Sequence, residues 1–258
     1  MVFIGNWDFN LIMHRFYVSS QGISVDKIII LDKKQIHHLK DVLRLKVKNR
    51  VIVFDETANE YTADIERISS QGISLKLKEK RKPTASKKFQ LTVACAIPKR
   101  AKMDDIIDKL TQLGVERIIP LKTSRVVIKW DKHKEIKHQK RWKTIAQNAS
   151  EQCQRNTFPI VDAIKNIGEV LADSGGFDLK LIPTLVGKRK SLKEIFLNTY
   201  PRNIMVLIGP EGDFTPEEVG LALKNGFIPL TLGELVLRVD TAAVAVTSFI
   251  RLYEPRTF

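Results

Sequence analysis

Apolar and polar positions change rhythm about a third of the way along the chain. Before residue 80 the apolar residues fall in short runs: "RFYV", "KIIIL", "RVIVF", "YTADIERI" and "ISLKLKE", rich in Val, Ile, Tyr and Phe. Runs of that length and composition, separated by turn signals such as Ser69-Ser70-Gln71-Gly72, predict strands. One segment among them differs. "KKQIHHLKDVLRL" sets Ile36, Leu39, Val42 and Leu43 at helical spacing and predicts a short helix. Several strands and one helix over residues 13–79 predict a small β-barrel. Residues 80–88, "KRKPTASKK", combine Pro, Ser and five Lys or Arg without periodicity and read as a linker.

From residue 89 the pattern becomes strand then helix, repeatedly. "FQLTVACAI" is an apolar strand. "KRAKMDDIIDKLTQLG" is a helix with Met103, Ile106, Ile107, Leu110 and Leu113 on one face and Gly114 as its stop. "VERIIPL", "FDLKLIPTL", "NIMVLIG" and "FIPLTLG" are further strands. "KRWKTIAQNASEQCQRN", "TPEEVGLALKNG" and "DTAAVAVTSFIRLYE" are further helices. Thr215 suits the N-cap of the second of these, with Pro216 at its first position. Continuous apolar strands with helices between them predict a mostly parallel α/β sheet over residues 89–258. Met13 opens "MHRFYV" like a chain start, so residues 1–12 are expected to be an extension.

Composition narrows the partners. The 258 residues carry a formal net charge of +14, and the excess is uneven. Residues 1–88 hold 17 Lys and Arg against 10 Asp and Glu, residues 89–155 hold 15 against 7, and residues 156–258 hold 11 against 12. A basic excess confined to part of a chain favours a polyanion partner, through phosphate neutralisation and counterion release. A generally lysine-rich surface is the alternative. No apolar run approaches the roughly 20 residues of a membrane helix. The N-terminal stretch lacks a basic n-region and a cleavage-site pattern. Cys95 and Cys153 have no ligand spacing, so no metal site is expected and the cytoplasm is the expected compartment.

In an open α/β sheet, ligands bind beyond the carboxyl ends of the strands. Two glycine-led loops fall at such ends: Gly209-Pro210-Glu211-Gly212, and the run from Gly233 to Asp240. The first lacks the GK[ST] of a phosphate-binding loop, and Glu211 would repel a phosphate. The pair suits a phosphate-free ligand held by backbone groups against Leu232, Leu235 and Leu237. On residues alone, two ordinary tight turns remain the other reading.

"IGPEGDFTPEEV" followed by "LGELVLRVDTAA" resembles the C-terminal signature of the SPOUT-superfamily ribosomal RNA uridine-N3 methyltransferases, the RsmE family. That signature runs GPEGG-F-s-x-x-E, then LG-x-x-x-LR-x-ETA. "KMDDIIDKLTQLGVERIIPLKTSRVV", "RWKTIAQNASEQCQRNTFPIV", "MHRFYV" and "HHLKDVLRLKV" resemble further family segments in the same order. The chain departs from the pattern at four places. Asp213 replaces the second Gly of GPEGG, Asp240 replaces Glu, Gln112 replaces Glu, and Lys48-Asn49 replaces a Gly-Asp turn, where Asn tolerates the left-handed conformation.

The resemblance implies a PUA-like RNA-binding barrel and a SPOUT methyltransferase domain with a C-terminal trefoil knot, in a homodimer. Ala242, Ala243, Ala245 and Val246 would permit close helix packing there. It implies S-adenosylmethionine as cofactor, held by Pro183, Thr184, Leu185, Ile208, Gly209, Pro210, Glu211, Gly212, Leu232, Gly233, Leu235, Leu237, Arg238, Thr241 and Ala242. It implies 16S rRNA or the small ribosomal subunit as partner. N3–H of uracil is a weak acid, so a cation near O2 or O4 and an acceptor for the proton are needed. The candidates are Arg125, Gln152, Arg155, Arg238 and Asp240. Gln152 and Arg155 are expected to share a helix face, and Asp240 to cap the last helix. For RNA capture the barrel offers Arg15, Arg44 and Lys46, which would position phosphates. The basic runs "KWDKHKEIKHQKR" and "KRKPTASKK" read as solvated or generically attracting charge. A SPOUT enzyme for another RNA or atom, and an RNA-binding protein with a decayed cofactor loop, are the alternatives.

Overall fold

The computed structural model describes residues 13–81, 89–99, 102–126, 130–197 and 199–253. The extension 1–12 and most of the expected linker, 82–88, lie outside the described residues. The chain divides into two compact units, residues 1–85 and 86–258.

In the first unit, β1 (Arg15–Tyr17), β2 (Lys27–Ile30), β3 (Arg50–Phe54), β4 (Glu60–Ile68) and β5 (Ile73–Arg81) form a curled five-stranded sheet in the order β1-β3-β4-β5-β2. β1 runs parallel to β3 and the other pairs are antiparallel. β4 shows the two-residue period of a one-faced strand: Tyr61, Ala63 and Ile65 point inward. They join Phe16, Ile28, Val51, Val53 and Leu75 in one core. β5 runs two residues into the stretch read as linker. The expected helix is α1 (Lys33–His37), with the Asp32 carboxylate accepting the Gln35 N–H, and it continues as a wider turn over His38–Val42 that buries Leu39. In the Lys48-Asn49 turn the left-handed residue is Lys48 (φ 72), not Asn49. Asn49 instead accepts the Lys46 N–H through its side chain.

The second unit holds an eight-stranded, all-parallel sheet. Its strands are β6 (Gln90–Ala96), β7 (Arg117–Lys122), β8 (Ile160–Val161), β9 (Lys165–Asn166), β10 (Leu179–Pro183), β11 (Lys190–Ser191), β12 (Asn203–Ile208) and β13 (Ile228–Thr231). Their order is β11-β13-β10-β12-β6-β7-β8, with β9 also on β7. Both faces are covered, which explains the unbroken apolar runs. On one face Leu91, Val93 and Cys95 pack with α2 (Met103–Gln112), α3 (Lys132–Gln152) and α7 (Val239–Leu252). On the other, Ala94, Ile119 and Leu207 pack with α4 (Ile167–Ala172) and α6 (Pro216–Lys224). α5 (Leu192–Phe196) buries Leu192, Ile195 and Phe196. α3 starts eight residues earlier than its apolar stripe suggests, because Asp131 caps it through the Lys134 N–H. From Lys132 on, the basic run is therefore the first half of this helix, with Lys132, Lys134, Lys137 and Lys140 exposed.

The buried Asp55 stabilises the first unit by collecting donors: the Thr57 N–H and hydroxyl, the Asn59 N–H and amide, and the Tyr61 hydroxyl at 2.8 Å. Burial alone would raise its pKa, but these hydrogen bonds hold it below the ordinary value, while Tyr61 is pushed up to about 12 by burial and by Asp55. A depressed carboxylate contributes stability above its unfolded-state pKa and loses it as pH falls through the folded one. Asp55→Ala should destabilise this unit by about 2–3 kcal/mol at neutral pH. The same stability should fade in the unaltered chain only below about pH 4. Hydrogen exchange of the β3 and β4 amides in the full chain measures both.

Candidate functional site

Because the strands are parallel, the carboxyl ends of β6, β7, β10, β12 and β13 share one edge of the sheet. The segment after β12, Gly209 to Thr215, is the centre of that edge. Glu211 accepts the Lys99 N–H at 3.1 Å, from the chain that follows β6. Arg125, in the turn after β7, donates Nη1 to the Gly212 carbonyl, with the Asp213 and Phe214 carbonyls each at 3.4 Å. Glu218, buried in the first turn of α6, accepts the Ser124 N–H at 2.8 Å and closes a capping box with Thr215. Asp213 takes up the segment beyond β10. Its Oδ2 accepts the Thr184 hydroxyl at 2.9 Å and the Leu185 N–H at 2.8 Å, and its Oδ1 accepts the Phe214 N–H at 2.8 Å.

Two backbone positions make the segment possible. A Cβ on Gly209 would lie 3.1 Å from two ring carbons of the buried Phe214. Asp213 sits at φ 60, the left-handed region a glycine enters freely and Asp enters at modest cost. Its three hydrogen bonds, all to an anion, offset that cost.

Beneath these loops is a cleft of about 600 Å³ including its open mouth. Of the residues expected to hold a cofactor, Pro183, Thr184, Leu185, Ile208, Gly209, Pro210, Glu211, Leu232, Gly233, Leu235, Leu237 and Ala242 line it. Arg189, Leu230, Thr231, Val236 and Val239 also line it and carried no sequence signal of their own beyond proximity, and so does Asp213, which the sequence marked only as a departure from the signature. Gly212, Arg238 and Thr241 are not among the lining residues. The Gly212 carbonyl is taken by Arg125, Arg238 is the exposed N-cap residue of α7, and Thr241 is exposed. The lining carries two carboxylates, Glu211 and Asp213, against one guanidinium, Arg189. A wall of Leu232, Leu235, Leu237 and Val239 completes it. Such a cleft disfavours phosphate and favours a ligand with an apolar ring and positive charge.

Residues 85–251 match the RNA methyltransferase domain family, and residues 31–78 match the RNA methyltransferase PUA domain family. The ribosomal RNA small subunit methyltransferase E of Rickettsia conorii is 32% identical over 241 residues, covering 93% of this chain and 95% of that protein. The chain belongs to the ribosomal RNA small subunit methyltransferase E family. Two solved structures share its fold over 93% of the chain. A Legionella pneumophila methyltransferase in complex with the bound cofactor SAM has a TM-score of 0.84 at 29% identity and is covered over 98% of its length. The family member from Neisseria gonorrhoeae bound to S-adenosyl methionine has a TM-score of 0.81 at 27% identity and is covered over 97%.

Within this methyltransferase fold the expected catalytic residues separate. Arg125 lies at the ligand edge, in the turn after the strand, and it braces the Gly212 loop. Asp240 lies in the first turn of α7, and Arg238, not Asp240, is the N-cap residue. Burial raises the pKa of the Cys95 thiol, and the nearby Asp240 and Glu211 carboxylates add to the rise, which places both charges around the end of β6. Gln152 and Arg155 do not share a helix face: α3 ends at Gln152, and Gln154 turns the chain at φ 63. Arg155 donates Nη1 to the Thr111 and Val115 carbonyls at 3.0 and 2.8 Å, beside the start of β7. That is the opposite edge of the sheet from the cleft, so Arg155 is a structural clamp, its pKa lowered by burial. Arg15 is corrected likewise. Only 7% of its side chain is exposed, and it pairs with Glu60 at 2.7 Å rather than facing a phosphate. Arg44 and Lys46 are exposed.

Gly209→Ala should cost about 1–3 kcal/mol, because the buried Phe214 ring has little room to retreat. Thermal denaturation of the full chain checks it.

Proposed function

We propose that this chain transfers a methyl group from S-adenosylmethionine to N3 of a uridine in 16S ribosomal RNA. The observation that carries the reading is the match between the cleft and the cofactor of its relatives. The Legionella and Neisseria proteins hold S-adenosylmethionine on the same fold. Here the strand-end cleft offers an apolar wall, exposed backbone at Gly233 and a carboxylate excess, a set that fits an adenine ring and a sulfonium. Leu232, Leu235, Leu237 and Val239 would hold the ring, and Pro183 to Leu185 and Gly209 to Glu211 would flank the rest. Bound there, the cofactor supplies a methyl group on a positively charged sulfur, open to displacement by a nitrogen lone pair.

The chain's own task is to make uridine N3 nucleophilic. Arg238 sits between the lining residues Leu237 and Val239 and makes no side-chain hydrogen bond or ion pair among the described residues. It is the cation that stabilises the developing uracil anion at O2 or O4. Asp240, or a water beside it, takes the N3 proton. The PUA unit gathers RNA through Arg44 and Lys46, whose phosphate contacts position without specifying sequence. The target base leaves its stack to enter the cleft.

The proposal extends to a homodimer, to action in the cytoplasm and to a trefoil knot. The insertion of β12 between β10 and β6 supports the knot, and the small residues of α7 support close packing. The expected division is a PUA-like barrel over 13–79 and a methyltransferase domain over 89–258. Among the described residues no helix is long and apolar enough to cross a membrane, and no cluster of His, Cys, Asp or Glu could hold a metal ion.

Calorimetry should show S-adenosylmethionine binding to the purified chain, and no binding would end the enzyme reading. N3 methylation blocks Watson–Crick pairing, so a deletion strain should lose a reverse-transcriptase stop in its 16S rRNA. An unchanged stop pattern would point to another RNA or atom. Arg238→Ala should lower kcat about 100-fold with cofactor affinity unchanged. Arg44→Ala should weaken RNA binding and flatten its salt dependence by about one unit of slope.

A further inference from the structure

The resembled signature has a glycine where this chain has Asp213. A glycine would satisfy the left-handed backbone there without strain, so the aspartate is to be explained by its carboxylate. That carboxylate does not point to solvent. It reaches across the cleft's edge from the loop after β12 to the loop after β10, and one oxygen accepts both the Thr184 hydroxyl and the Leu185 N–H. Thr184 is buried and is held on its other side by its own N–H, which donates to the Leu230 carbonyl of β13 at 3.3 Å. The Thr184 hydroxyl also accepts the Val186 N–H at 3.2 Å. Leu185, by contrast, is 55% exposed, so little packing fixes it. Asp213, Thr184 and Leu185 all line the cleft.

We infer that Asp213 is a positioning residue, a carboxylate latch that holds the Thr184–Leu185 lip in place before the cofactor arrives. The inference rests on the cofactor reading of the cleft given above. Without the latch, the Leu185 N–H loses its acceptor and the lip samples other positions. Cofactor binding must then order it, and affinity falls by the fraction of time the lip is correctly set. Neither the fold nor the methyl-transfer step needs the carboxylate, so affinity should suffer and turnover at saturation should not.

The test uses the full chain with Asp213→Asn and Asp213→Gly, both of which keep the left-handed backbone accessible, and Thr184→Val. Hydrogen exchange of the segment containing Leu185 and Val186 is measured without ligand, and S-adenosylmethionine affinity by calorimetry. Both Asp213 variants should exchange faster at that segment and bind the cofactor about tenfold more weakly. KM for the cofactor should rise with kcat within about twofold. Asp213→Asn and Thr184→Val together should cost less than the product of the single effects, since each breaks the same link. Unchanged exchange at Leu185 in Asp213→Asn would show that no latch exists. Faster exchange with unchanged affinity would show that the latch does not position the cleft. If the unaltered chain bound no cofactor, the proposed function would fail, while the exchange comparison would still decide the latch.

Discussion

Glu211, Asp213 and Glu218 each accept a backbone N–H from a different strand-end loop: Lys99 beyond β6, Leu185 beyond β10 and Ser124 beyond β7. A parallel sheet satisfies its own peptide groups through the ladder, but the loops at its carboxyl edge have no ladder partner. Their N–H groups must find acceptors or water. Here one ten-residue stretch, from Gly209 to Glu218, supplies charged acceptors, and Arg125 supplies the matching donor to its carbonyls. Hydrogen bonds to ionised groups are the stronger kind. The strand-end loops are tied to one another as well as to the sheet below.

The same ties settle the electrostatics. Spending Glu211 and Asp213 on neutral peptide donors leaves their negative charge in the lining, with Arg189 as the opposing cation. The cleft therefore selects against phosphate, although the chain carries +14 overall. The basic excess lies elsewhere, on Arg44 and Lys46 in the first unit and on the exposed lysines of α3 in the second. The residues that carry the basic excess are not those that line the cleft.

Much of this was legible in the sequence. The apolar runs marked the long strands, and Thr215 with Pro216 announced α6, which the structure closes as a capping box with Glu218. Asn166 with Glu169 and Ser191 with Glu194 close the same kind of box at the starts of α4 and α5, helices that the apolar pattern did not mark, and the two-residue strands beside them are too short to show a period. What spacing missed was non-local. Glu211 lines the cleft, but its tie to the Lys99 N–H, 112 residues away, had no local signal. Arg155 looked like a neighbour of Gln152 until Gln154 turned the chain. Arg15 looked like a phosphate contact because its inward partner Glu60 lies 45 residues on. Asp213 looked like a defect, since a pattern of residue types records the glycine's backbone freedom and not what a carboxylate at the same φ can reach.

The most direct measurement is nucleoside analysis of 16S rRNA treated with the purified chain and S-adenosylmethionine carrying an isotope-labelled methyl group. Label should appear in 3-methyluridine, in proportion to enzyme and lost with Arg238→Ala. Label in a ribose, in another base or nowhere would contradict the assignment of this cleft to uridine-N3 methylation.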